Sequence, residues 1–187
     1  MEPFDNAKWS TTKYDTQNLN KYVWRSESLD HCLQQQFKEQ GISSGTLLDI
    51  GTCDGSQASN LAKLGFTVTG TDINHSILDY AKTNISNVNF VYDNILRTNI
   101  KEKFDYVFDR GCYHWIEKRY VPLYVANVKS LTKKFLYIKV LKQRSSIEEI
   151  QQFFEHDFDI ISHRDNFFNE GDSDMPSLFV VLQPKVL

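Results

Sequence analysis

Two glycines flank a cysteine in the stretch LLDIGTCDGSQASNLAKLG, Leu47 to Gly65. An apolar run ends at Asp49, turns through Gly51 and Gly55 and enters a helical pattern. Such a turn brings backbone and helix-end N–H groups toward whatever binds above it. The spacing is G-x-C-x-G, so Cys53 and Ser56 stand where the dinucleotide fingerprint G-x-G-x-x-G has its second and third glycines. The Lys-Ser/Thr ending of a phosphate loop is absent as well. Two glycines alone favour a tight strand-to-helix turn that only packs. Asp72 adds to them: it ends the next apolar run, at the offset of about twenty residues where an acid meets ribose hydroxyls in nucleotide-binding βαβ units. A carboxylate accepts two hydrogen bonds from a vicinal diol. Turn and acid together predict a nucleoside site. Cysteine fits at position 53 if its φ is negative, with close approach left to Gly51 and Gly55.

A second constellation is FDRGCYHW, Phe108 to Trp115. Cys112 and His114 suggest a thiol and a base, but catalytic Cys/His pairs are brought together from distant segments, and a buried, inert cysteine is the expectation here. His114 is either a proton acceptor at the acceptor site or a loop histidine. Tyr113 and Trp115 are expected to pack, one of them as a pocket wall, and Trp24 is read as part of a lid rather than of the core. His31, His75, His156 and His163 have no metal-ligand grouping, so no metal is expected.

These residues must be positioned by the elements between them. Ser26 to Gln40 carries Leu29, Leu33 and Phe37 at a helical spacing of four. Apolar runs then alternate with helical patterns: TLLDI, SQASNLAKLG, FTVTGTD, NHSILDYAKTN with Asn74 as its N-cap, VNFVYD, FDYVFD, EKRYVPLYVANVKSL, KFLYIKVLK, SIEEIQQFFEHD, FDIISHRDNFF and SLFVVLQP. Alternation of this kind implies an α/β fold with a doubly wound, mostly parallel sheet. Four runs end at acids, Asp49, Asp72, Asp93 and Asp109, which should line the carboxyl edge where ligands bind such sheets. The series reads as one domain over residues 1–187, an arm over 1–25 and an α/β core over 26–187.

A formal charge of −3 argues against a nucleic-acid binder held mainly by phosphate contacts, so a small-molecule partner and no nucleic acid are expected. Cys32, Cys53 and Cys112 form no C-x-x-C pair, which fits a reducing cytoplasm. No run approaches the length of a membrane span, and no membrane partner is expected. Oligomeric state is not legible.

With these residues in view, the sequence resembles class I S-adenosylmethionine-dependent methyltransferases, in particular the small single-domain branch of thiopurine-methyltransferase-like and tellurite-resistance-type enzymes. LLDIGTCDGSQASNLAKLGFTVTGTDIN is similar to their glycine-rich and acidic motifs, and FDYVFDRGCYHWI to their fourth-strand motif. The resemblance implies a seven-stranded sheet with its last strand antiparallel and S-adenosyl-L-methionine as cofactor. It implies that Asp49, Gly51, Thr52, Cys53 and Gly55 surround the cofactor's amino-acid part. Asp72 and Ile73 would hold the ribose and adenine, Asp93, Asn94 and Ile95 the adenine edge, and Asp109 and Arg110 would face the methyl-transfer edge. Beside what the resemblance implies, the aromatic residues at this edge suggest that Trp24, His114 and Trp115 meet the acceptor, with His114 as a candidate proton acceptor and Arg110 orienting an acceptor or a cofactor carboxylate. Two other classes stand beside this reading: a module that binds the cofactor without turnover, and a nicotinamide-dependent reductase.

Overall fold

The computed structural model describes residues 10–22, 24–168 and 175–186. Seven strands form one sheet: β1 (Gly45–Ile50), β2 (Phe66–Asp72), β3 (Asn89–Tyr92), β4 (Phe104–Arg110), β5 (Thr132–Leu141), β6 (Phe158–Phe167) and β7 (Pro176–Pro184). Their order is β3-β2-β1-β4-β5-β7-β6. Pairs among β1 to β5 are parallel, and β7 runs antiparallel to both β5 and β6. The expected architecture, with its antiparallel last strand, is the one observed.

Among the described residues five α-helices cover the sheet: α1 (His31–Gln40), α2 (Ser56–Lys63), α3 (His75–Asn84), α4 (Val121–Leu131) and α5 (Ile147–Phe154). Leu33 and Phe37 of α1, Ala58 and Leu61 of α2, and Leu78 and Ala81 of α3 share one buried cluster with Leu47, Val68 and Phe108 of the strands. Val125 and Val128 of α4 and Ile150 and Phe154 of α5 share the other, with Leu48, Val107 and Ile138. Successive strand residues point to opposite faces, so Leu47 and Leu48 serve the two cores in turn. Burial on both faces is why the strands read as continuous apolar runs rather than alternating ones.

The first helix is shorter than its apolar spacing suggests. Asp30 stops it at its N-terminus by accepting a hydrogen bond from the Leu33 amide at 3.3 Å, as a capping residue does. Residues 26–30 are held instead by Gln57 of α2, whose amide donates to the Ser26 and Ser28 carbonyls and accepts from the Asp30 N–H. Leu29 is buried all the same. Asn74 caps α3 as expected, accepting from the Ile77 amide at 3.1 Å. Among the described residues no helix is long and apolar enough to cross a membrane.

Candidate functional site

Reversal of strand order at β1 and β4 opens a crevice at the carboxyl edge of the sheet, the place where open α/β sheets bind ligands. A cavity of about 470 Å³ lies there. It brings together Gly51, Cys53, Asp72, Ile73, Asp93, Asn94, Ile95, Arg110, His114, Trp115 and Trp24 from the sequence expectations. Asp49, Thr52, Gly55 and Asp109 do not line it.

Strand register explains the division. Ile50 pairs with Thr71 and with Asp109, while Asp49 pairs one step lower with Gly70 and Phe108. Asp72 stands one step above that level, and Asp93 follows Tyr92, the partner of Asp72. The four acids are therefore staggered, and Asp72 and Asp93 reach the cavity. Asp49 lies beneath the turn and accepts from the Thr52 hydroxyl at 2.6 Å. Asp109 accepts from the Cys112 and Tyr113 amides and from the Tyr124 hydroxyl at 2.7 Å, which folds the chain back after β4. Burial raises both carboxyls, Asp49 to about 7 and Asp109 to about 6. Gly55 is needed for packing: its φ is 77°, and a Cβ would run into the Phe90 ring.

Asp72 is 8% exposed and accepts the Cys53 amide on one oxygen at 3.0 Å and the Asn74 amide on the other at 2.8 Å. An ionised carboxylate has about four acceptor positions, more than these two amides use. Burial pushes its pKa up, and the two amides pull the other way. Asp93 accepts the Asn99 amide on one oxygen, and Asn94 accepts the Leu96 amide, which starts a short 3-10 turn at Ile95.

Two expectations about the glycine turn are corrected. Its N–H groups do not face the cavity unpaired: Thr52 donates to the Thr71 carbonyl, Cys53 to Asp72, Gly55 to the Thr52 carbonyl and Ser56 to Asp54. Asp54 in turn pairs with Arg25 at 2.9 Å. The anion-binding capacity of this helix start is occupied by the protein's own carboxylate. Second, Cys53 has φ 50°, in the left-handed region, where among the described residues every other positive φ belongs to glycine. Burial and the surrounding acids hold the Cys53 and Cys112 thiols well above their usual range, so neither is a nucleophile.

At the other end of the cavity, the His114 Nδ1 accepts the Leu141 amide at 3.2 Å. A backbone amide always donates, so Nδ1 carries no proton and the neutral ring carries it on Nε2. Burial, then Arg144, lowers the pKa to about 4. His114 is thus a neutral donor at Nε2, with no lone pair left to take a proton. The Arg144 guanidinium lies 4.0 Å from the centre of the Trp115 ring. Arg110 also differs from expectation, because its guanidinium binds protein groups, Asp30 and the Trp24 and Phe168 carbonyls. Tyr113 is buried in the core beside Tyr124 and Phe154 rather than in the cavity. Phe168 lines the cavity, and Phe167 is half-exposed and does not.

Sequence reasoning missed Thr12, Tyr14 and Tyr22 of the arm, together with Gln143 and Met175. Tyr22 stacks on Trp24 with ring centres 5.3 Å apart, and Tyr14 meets both edge-on. Asn74 donates to the Thr12 carbonyl at 2.8 Å. Burial and the adjacent Cys53 and Asp72 raise the Tyr14 hydroxyl far above its usual range. The signal was present as aromatics at 14, 22 and 24 in the arm, but nothing in their spacing indicates a shared target.

Residues 47–135, which contain the turn, Asp72 and the Arg110 segment, match the family model described as Methyltransferase domain. Those residues, just under half of the chain, are similar to a methyltransferase domain. The chain is similar to 235L of Invertebrate iridescent virus 6, a protein that bears the name methyltransferase, with 26% identity over 153 residues, 80% of this chain and 55% of that one. It shares its fold with a TehB-like SAM-dependent methyltransferase from Corynebacterium glutamicum, at TM-score 0.68 and 19% identity over 81% of this chain and 86% of that one. The same holds for magnesium protoporphyrin IX methyltransferase from Synechocystis, solved with bound SAH, at TM-score 0.69 and 14% identity over 82% and 81%. The chain spans about half the length of the curated relatives it matches.

Proposed function

We propose that this chain is a class I methyltransferase that binds S-adenosylmethionine and catalyses transfer of its methyl group to a small, partly apolar molecule. The observation that carries the reading is one cavity lined by two chemistries: a buried carboxylate, Asp72, and an aromatic wall of Trp24, Trp115 and Phe168. Its volume falls in the range of about 300–1,000 Å³ common for small-ligand pockets. When bound, S-adenosylmethionine supplies an electrophilic methyl on a sulfonium whose departure leaves a neutral thioether.

The chain's part is then to bind, orient and exclude water. Asp72 holds the ribose, with Ile73, Asn94 and Ile95 against the base, and the arm covers the site through Tyr14, Tyr22 and Trp24. Orientation of two bound partners can supply roughly 7–11 kcal/mol of a barrier. His114 donates from Nε2 to the acceptor and removes no proton, so the attacking atom arrives with its lone pair available. A dinucleotide reading finds less support, since the N–H groups of the turn that would seat a diphosphate are bonded within the protein.

Incubating the protein with metabolite pools and S-adenosylmethionine labelled in its methyl group tests the proposal by mass. Labelled small molecules are the expected outcome. Label found on RNA or protein with the small-molecule fraction unlabelled, or no transfer at all, would overturn it.

A further inference from the structure

Arg110 ties together three segments that lie far apart in the chain. Its Nε donates to Asp30 at 3.1 Å, one Nη to the Trp24 carbonyl at 2.7 Å and the other to the Phe168 carbonyl at 2.8 Å. The guanidinium carbon also lies 4.5 Å from the centre of the Phe168 ring. Its side chain is 6% exposed, and the Asp30 carboxylate that anchors it is 1% exposed and receives Lys139 as well, at 2.7 Å. Trp24 lies at the end of the arm and Phe168 directly follows β6, and both line the cavity. A planar fork with donors pointing three ways makes this junction, and a lysine ammonium, a point charge on a flexible stem, does not reproduce it.

We infer that Arg110 is a positioning residue, a latch that fixes the arm and the end of β6 together as walls of the cavity, and that this latch sets how fast a bound nucleoside leaves. The inference rests on the reading that the cavity holds S-adenosylmethionine. The arm has other ties, Arg25 to Asp54 and Thr12 to Asn74, so it stays attached when the latch opens. What loosens is the Trp24 end. Because one guanidinium serves both walls, a disturbance at Phe168 is felt at Trp24.

Arg110→Lys and Phe168→Ala test this by hydrogen exchange and by the kinetics of S-adenosylhomocysteine binding. In Arg110→Lys, exchange over residues 19–30 should rise at least tenfold while β1 and β4 stay within threefold of the unaltered protein. S-adenosylhomocysteine should dissociate at least tenfold faster, with association within threefold. Phe168→Ala should also raise exchange over residues 19–30, and it should add nothing in the Arg110→Lys background. Unchanged exchange over 19–30, or loss of protection spread equally over β1 and β4, would overturn the latch and leave Arg110 a plain stabilising residue. If the unaltered protein does not bind S-adenosylhomocysteine, the functional reading and the claim about release fall together. The exchange comparison still decides whether the two walls are coupled.

Discussion

Replacing Cys53 should reverse the usual order of alanine and glycine. At an ordinary site, glycine is less stabilising than alanine by about 0.4–1 kcal/mol, because the unfolded chain gains freedom. Cys53 sits at φ 50°, where a residue with a Cβ carries about 1–2 kcal/mol of left-handed strain that glycine does not. Cys53→Ala keeps the strain and removes the thiol, and Cys53→Gly removes both, so their difference isolates the backbone effect. Strain relief less the entropy cost leaves glycine ahead by roughly 0.5–1 kcal/mol. For a chain of this length that is a melting temperature about 1–4 °C higher in Cys53→Gly than in Cys53→Ala. Urea unfolding followed by circular dichroism measures it as a shift in midpoint at constant slope. Both variants keep the Cys53 amide that donates to Asp72, so affinity for S-adenosylhomocysteine should stay close to that of the unaltered protein. Cys53→Ala equal to or more stable than Cys53→Gly would refute the reasoning and show that the turn relaxes to accept a side chain.

Asp49 makes stability depend on pH. Its folded pKa, raised to about 7 by burial, lies above that of the unfolded chain, so the folded state binds more protons between about pH 4 and 7 and stability falls as pH rises through that window. Each such carboxyl contributes a slope of up to about 1.4 kcal/mol per pH unit, and Asp49→Asn, which still accepts from Thr52, should flatten it in thermal melts from pH 5 to 7. Asp30→Asn should cost about 3–5 kcal/mol in urea unfolding, because it strands Arg110 and Lys139 as buried cations. Lys139→Met should cost less, since Asp30 keeps Arg110, and the reverse order would contradict the pairing. Nitrogen NMR of His114 should show a neutral ring protonated on Nε2 down to about pH 5, and a protonation midpoint above 6 would restore it as a base.

Much of this arrangement is legible from the apolar runs. Alternating strand and helix patterns give the sheet and its two covered faces, and the pair of Gly51 and Asp72 marks the end of the sheet that holds the cavity. Four acids at strand ends look equivalent in sequence. Only the register between neighbouring strands, a property of long-range pairing, separates Asp72 and Asp93 from the buried Asp49 and Asp109. The start of α1 escapes because apolar spacing continues through Leu29 while a capping carboxylate ends the helix one residue later. The sign of φ at Cys53 and the three-way junction at Arg110 depend on tertiary contacts that no local pattern encodes.

Titration of S-adenosylhomocysteine into the unaltered protein and into Asp72→Asn by calorimetry tests the central claim most directly. Asp72→Asn keeps a single acceptor oxygen, so it loses charge, one of the two backbone amide bonds and an acceptor toward the diol, which should cost about 1–3 kcal/mol, or roughly five- to 150-fold in affinity. The account requires saturable one-to-one binding that weakens by that factor. No binding to the unaltered protein, or equal affinity in the two, would contradict it.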